Sequence, residues 1–173
     1  MTVAWVLGAV SAVVATLGAL QLAAERLQLD IAVYLMGAGH LVDGRLYLVA
    51  LPHPPHLPFT YPPFAALVFF PLHLLPERAA QIVWSLVNVV ALFALVWLSV
   101  RAARPGLGRR SLALWSLLLM TPAFFIEPVH LTLSFGQVNI LLAAMALYDL
   151  TGEARVGRWT LPKGVLVGVV AAI

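Results

Sequence analysis

Two unbroken apolar runs, residues 3–24 and 79–100, constrain this chain more than anything else in it. A helix needs about 20 apolar residues, each rising about 1.5 Å, to cross a hydrocarbon core about 30 Å thick. Both runs meet that length, and the most polar residue of the first is Gln21. A secretory signal needs a basic leader and a shorter apolar core. The first run has neither and reads as a transmembrane helix. Composition agrees: of 173 residues, 62% are hydrophobic and 10% charged, against about 25% charged in a soluble domain. A mean hydropathy of +0.99 excludes a water-soluble globule. It also excludes a disordered chain, which needs low hydrophobicity and high charge.

The expected fold is therefore all-α, a polytopic membrane protein. Residues 111–126 form a third span, kinked or ended by Pro122. A loop without lysine or arginine follows over 127–137, and the next span is set at 133–150 to reach crossing length. Residues 164–173 are too few to cross and read as the start of another span. On this reading 1–173 is a single transmembrane domain, the N-terminal part of a longer protein.

Between the first two spans lies a polar interruption. Ile31, Leu35, Ala38 and Val42 recur at helical spacing, so an interfacial helix is expected over 30–43, stopped by Asp43-Gly44. Six of the twelve prolines then fall between Pro52 and Pro63 and demand an extended, irregular path. Residues 64–75 are apolar but short and contain Pro71, which predicts a second helix lying along the membrane surface.

The formal net charge is +3. The basic residues cluster at Arg101, Arg104, Arg109 and Arg110, and again at Arg155, Arg158 and Lys163. Clusters between apolar runs report membrane orientation, not nucleic acid. If 64–75 stays on the surface, the N-terminus is cytoplasmic and Arg26, Arg45 and Arg78 lie outside. If 64–75 crosses, only Arg78 lies outside. Segment length favours the first arrangement and charge counting the second; they differ over which side holds Asp30. The absence of cysteine excludes disulfides, thiol chemistry and cysteine-ligated metals.

Few residues can carry chemistry. Asp30 follows the first span, one helical turn from Tyr34, and a carboxylate at a membrane boundary is a candidate general base. The competing reading makes Asp30 the cap of its helix. Glu127 and His130 stand one turn apart at a span boundary, where an ionisable residue is functional or merely solvated. Gln137 and Asn139 fit a substrate's hydroxyls or phosphate, or simple interhelical hydrogen bonding. His53 and His56 have a metal-like spacing, but a proline-rich extended segment does not put them on one face, and no metal site is expected.

The order of several short motifs carries more. D-I-A-V-Y at 30–34, H-L-V-D-G-R-L-Y at 40–47, F-T-Y-P-P-F at 59–64, P-L-H-L-L-P at 71–76 and F-G-Q-V-N-I-L-L at 135–142 follow one another around a span holding Trp84 and Asn88. This arrangement resembles glycosyltransferase family eighty-seven, the polytopic mannosyltransferases that use polyprenyl-phosphate mannose. The resemblance runs from about residue 20 to 173. It implies a C-type glycosyltransferase fold in a bacterial plasma membrane, with the active site on the extracytoplasmic face. It implies Asp30 as catalytic base of an inverting hexosyl transfer, a polyprenyl-phosphate sugar as donor, and a glycolipid or glycan as acceptor. Tyr34, His40, Arg45, Tyr61, Glu127, His130, Gln137 and Asn139 are the candidate substrate-binding residues, with Arg26 a further candidate for the leaving phosphate. No cofactor and no nucleic acid are expected. Two other function classes remain open: a transporter or flippase module, and a membrane subunit without chemistry.

Overall fold

A computed structural model describes residues 2–25, 28–152, 155–156, 159–160 and 162–173. The regular elements among the described residues are helices and a two-residue antiparallel ladder, β1 (Arg155–Val156) with β2 (Trp159–Thr160); residues 40–62 follow an irregular path bridged once between Ala50 and Pro58. Arg26 and Arg158, both counted in the charge pattern, lie outside the described residues.

Two helices, α1 (Thr2–Glu25) and α4 (Glu77–Ala103), are long and apolar enough to cross a membrane. They match the two runs seen in the sequence. Between them, α2 (Leu29–Gly39) and α3 (Pro63–His73) pack on one another. Each has 11 residues, about 16 Å of helix, well short of a hydrocarbon core. α2 stops earlier than the stripe through Val42 suggested, because Asp43 folds back the chain beyond it. Its Oδ1 accepts the Arg45 backbone N–H at 2.9 Å, closing a local turn in place of helix.

The segment expected as a third span is built from two pieces, α5 (Arg109–Leu118) and α6 (Met120–Phe124). Pro122 lacks an N–H and so frees the Leu118 carbonyl. Ser11 of α1 takes it, its Oγ donating to Leu118 O at 3.0 Å, while Thr121 Oγ1 donates to Ser11 O at 2.8 Å. A break among apolar helices thus has its polar groups satisfied by a neighbour. Close approach is possible because α1 presents Gly8, Ser11, Ala15 and Ala19 to this pair; between helices in lipid, packing of small residues supplies the attraction.

The expected loop over 127–137 is instead a helix, α7 (Glu127–Phe135). Lacking lysine and arginine says which side of a membrane a segment occupies, not what its backbone does. Pro128 in the first turn supplies a ready-made helical φ, and Gly136 in the left-handed region (φ 70) ends the helix. That glycine also divides the expected 133–150 span: Leu133 belongs to α7, and α8 (Asn139–Thr151) starts beyond the turn. α8 packs along α4, and α9 (Val165–Ala171) follows against α8.

Candidate active site

The site grows from the loop that joins α1 to α2. Gln28 holds the position before α2 with φ 43, and its side chain is 2% exposed. Its Nε2 donates to Ser85 Oγ and to Leu133 O, both at 3.1 Å, so one amide ties α2 to α4 and α7. Asp30 therefore stands inside the first turn and is not the cap. An acidic side chain there complements the positive pole of the helix.

The Asp30 carboxylate is held by a distant residue. Tyr61, from the proline-rich segment, donates its hydroxyl to Asp30 Oδ1 at 3.2 Å, and Tyr34 donates to the Tyr61 hydroxyl at 3.3 Å. Among the described residues, no hydrogen bond reaches Asp30 Oδ2. Asp30, Tyr34 and Tyr61 are thus assembled into one chain of hydrogen bonds. Burial is the main cause that holds the Tyr34 hydroxyl well above its ordinary range, with the bond to Tyr61 next. Burial likewise raises Tyr61, with the Asp30 charge adding to it. Both tyrosines stay protonated and remain donors throughout the neutral range.

Packing fixes this chain in place. The Tyr34 ring stacks on Phe69 of α3 at 4.3 Å between centroids and meets Tyr61 edge-on at 4.8 Å. Each such pair is worth about 0.5–1.5 kcal/mol beyond its buried area. Gly37, on α2, leaves room for the Phe59 ring, and a methyl there would overlap it. With Phe59 seated against α2, Tyr61 follows two residues later on the Asp30 side.

The turn between α7 and α8 closes the other flank. Val138 is buried in one apolar cluster with Ile31 and Tyr34 of α2. Trp84 Nε1 donates to Gly136 O at 2.8 Å, pinning the same turn to α4. Gln137 and Asn139 lie on either side of Val138, and Asn139 Nδ2 donates to Gln137 Oε1 at 2.9 Å. The turn that bears both amides is therefore in direct contact with the helix that bears Asp30.

Other sequence candidates are not joined to Asp30 by any hydrogen bond or ion pair among the described residues. His40 Nδ1 lies 2.6 Å from Asp43 Oδ2, an exposed pair one turn beyond α2. The His40 ring, with the Arg45 backbone N–H behind it, holds the Asp43 carboxyl below the usual carboxylate range. Arg45 itself is exposed. Glu127 is exposed on the first turn of α7, and His130 packs edge-on against Phe124 at 5.3 Å. His130 also lines a cavity of about 470 Å³ with Glu25, Gln28 and Ser134. Sequence reasoning assigned no site role to Gln28, Phe69, Trp84 or Gly136, which position the site, although Trp84 and the segment holding Gly136 belong to the motifs that carry the resemblance. Only Gly136 carried a readable signal, as a helix stop.

The family model for glycosyltransferase family 87 matches residues 59–173. A polyprenol-phosphate-mannose-dependent alpha-(1-2)-phosphatidylinositol pentamannoside mannosyltransferase of Mycobacterium tuberculosis is 38% identical over 151 residues, which is 83% of this chain and 33% of that protein. Its counterpart in Mycolicibacterium smegmatis is 39% identical over 150 residues, 83% of this chain and 34% of that protein. A second M. tuberculosis protein, a polyprenol-phosphate-mannose-dependent alpha-(1-2)-phosphatidylinositol mannoside mannosyltransferase, is 32% identical over 160 residues, 84% of this chain and 36% of that protein. The chain thus spans about a third of the length of these relatives. No solved structure matches it. The chain, with its family match beginning at the Phe59 that seats Tyr61 against Asp30, belongs to glycosyltransferase family 87.

Proposed function

We propose that the full-length protein is a plasma-membrane mannosyltransferase of the C-type glycosyltransferase fold. It moves a mannosyl group from a polyprenyl-phosphate donor to a hydroxyl of a glycolipid acceptor on the extracytoplasmic face. The relatives' names support the donor and the phosphatidylinositol mannoside kind of acceptor. The observation that carries the mechanism is the Tyr34–Tyr61–Asp30 chain, which orients one carboxylate oxygen and leaves the other without a described partner.

In this reading the acceptor oxygen attacks the anomeric carbon as Asp30 takes its proton, and the bond from that carbon to the phosphate oxygen breaks. Polyprenyl phosphate leaves with the electron pair, and attack opposite to it inverts the anomeric centre. Tyr61 holds the carboxylate in register; Gln137 and Asn139 offer amides to sugar hydroxyls from the neighbouring turn. Glu127, His130, His40 and Arg45 line the same outer face at a greater remove from the reacting atoms.

The topology belongs to the same proposal. α1 and α4 cross the membrane and the α5–α6 pair brings the chain back toward the outer side, while α2 and α3 lie along the outer surface, too short to span. The arginine loop after α4 is cytoplasmic. Asp30→Asn in the full-length protein tests the base. A general base contributes about 10²–10⁴-fold, so transfer from labelled polyprenyl-phosphate mannose in membranes should fall by that factor while expression holds. Near-normal turnover overturns the assignment.

A further inference from the structure

Four arginines stand where α4 ends and α5 begins: Arg101, Arg104, Arg109 and Arg110. The first turn of α5 contains no acidic residue, and among the described residues none of the four makes an ion pair. Arg109 and Arg110 occupy that first turn, where the free N–H groups of a ten-residue helix already form a positive pole. Cations placed there oppose the helix dipole, and an anion is their complement.

Two adjoining concavities show what kind of anion fits. Arg101, Arg104 and Arg109 line a cavity of about 380 Å³ together with Trp97 and Leu107. Trp97 and Arg101 also line an apolar groove of about 710 Å³, walled by Val90 and Ala94 of α4 and by Leu141 and Met145 of α8. A cationic pocket that opens into an apolar groove along a membrane-crossing helix suits a phosphate bearing an alkyl chain. Guanidinium groups bind phosphate oxygens in pairs, and tryptophan marks the depth at which head groups lie.

We propose that this face binds an anionic phospholipid from the leaflet that bathes the arginine loop. Arg101, Arg104 and Arg109 hold its phosphate, and one acyl chain lies in the groove between α4 and α8. The site is distinct from the transferase centre. Trp84, which pins the active-site turn, and Arg101 are separated by about 25 Å along α4.

The test uses the full-length protein in nanodiscs of mixed phosphatidylcholine and phosphatidylglycerol, re-extracted in mild detergent, with the retained lipid quantified. Phosphatidylglycerol should be retained in preference to phosphatidylcholine. The combined variant R101Q/R104Q/R109Q should lower that preference about tenfold or more, as loss of charge-assisted hydrogen bonds predicts. Ala94→Phe, which fills the groove and leaves the arginines intact, should lower retention as well. Arg110→Gln, in the same loop but outside the pocket, should leave it unchanged. Equal retention of both lipids, or full retention by the triple variant, overturns the proposal. So does the absence of retained lipid, which means that other helices of the full protein fill the groove. Displacement by inorganic phosphate alone, with Ala94→Phe indifferent, reduces the site to one for a free anion and overturns it too.

Discussion

Replacing Gly136 by alanine probes the joint that brings the α7–α8 turn to the Asp30 helix. Gly136 has φ 70, and a Cβ built there stands 2.9 Å from Ile31 Cγ2 and 3.2 Å from Gln28 Cβ. Two separate costs follow. A left-handed backbone costs an alanine about 1 kcal/mol, and forcing a methyl into a packed contact costs about 1–3 kcal/mol. Ile31 is 0% exposed and Gln28 is 2% exposed, so neither can retreat. Gly44 provides the control: its φ is 74, and a Cβ there meets nothing within 4 Å. Gly44→Ala should therefore lose only the backbone term, and Gly136→Ala about 2–4 kcal/mol in all. Displacing the turn also draws Gly136 O away from Trp84 and unpacks Val138 from the Tyr34 cluster, so transfer should fall in Gly136→Ala alone. Thermal unfolding of the detergent-purified full-length protein, read by fluorescence-detected gel filtration, gives the first quantity; membrane transfer assays give the second. If the two variants lie within about 0.5 kcal/mol of one another, the size of an ordinary surface effect, the packing argument is wrong.

Three further outcomes test the rest of the reading. Tyr61→Phe removes the hydroxyl that orients Asp30 and should slow transfer about tenfold or more, since a hydrogen bond to a charged group is worth about 1.5–3 kcal/mol; an unchanged kcat contradicts the orienting role. Tyr34 and Tyr61 keep their protons in the fold while the unfolded chain ionises from about pH 10, so the stability they contribute below that pH is lost as pH rises beyond it. Thermal melts of Tyr34→Phe across that range should show a shallower alkaline loss than wild type, and identical curves refute the assignment. For topology, single cysteines at the exposed positions Val42, Leu131 and Gly106 of a cysteine-free background can be labelled with an impermeant thiol reagent in intact cells. Labelling is expected at 42 and 131 and only after permeabilisation at 106; protection at 42 with labelling at 131 places Asp30 in the cytoplasm and removes the proposed base.

What the sequence determined by itself is whatever rests on length and period. Runs of 3–24 and 79–100 had to be long apolar helices, because such runs cannot be hidden in a chain with so few charges. Asp30 and Tyr34, one turn apart, had to share a helix face once 30–34 was helical. The stop at Gly136 was legible too, and misreading 127–137 as a loop came from using charge where Pro128 and Gly136 were the informative residues. Only the tertiary structure decided what meets Asp30. Tyr61 lies 31 residues away in an irregular segment with no period to follow, and its position depends on Phe59 filling the space beside Gly37. The partners of Gln28, Phe69 and Trp84 were hidden for the same reason. A glutamine before a helix, a phenylalanine in an apolar run and a tryptophan in a span acquire meaning only from the donors, rings and carbonyls that folding sets beside them. Local pattern encodes which residues share an element, whereas contacts between distant segments arise from how the elements pack.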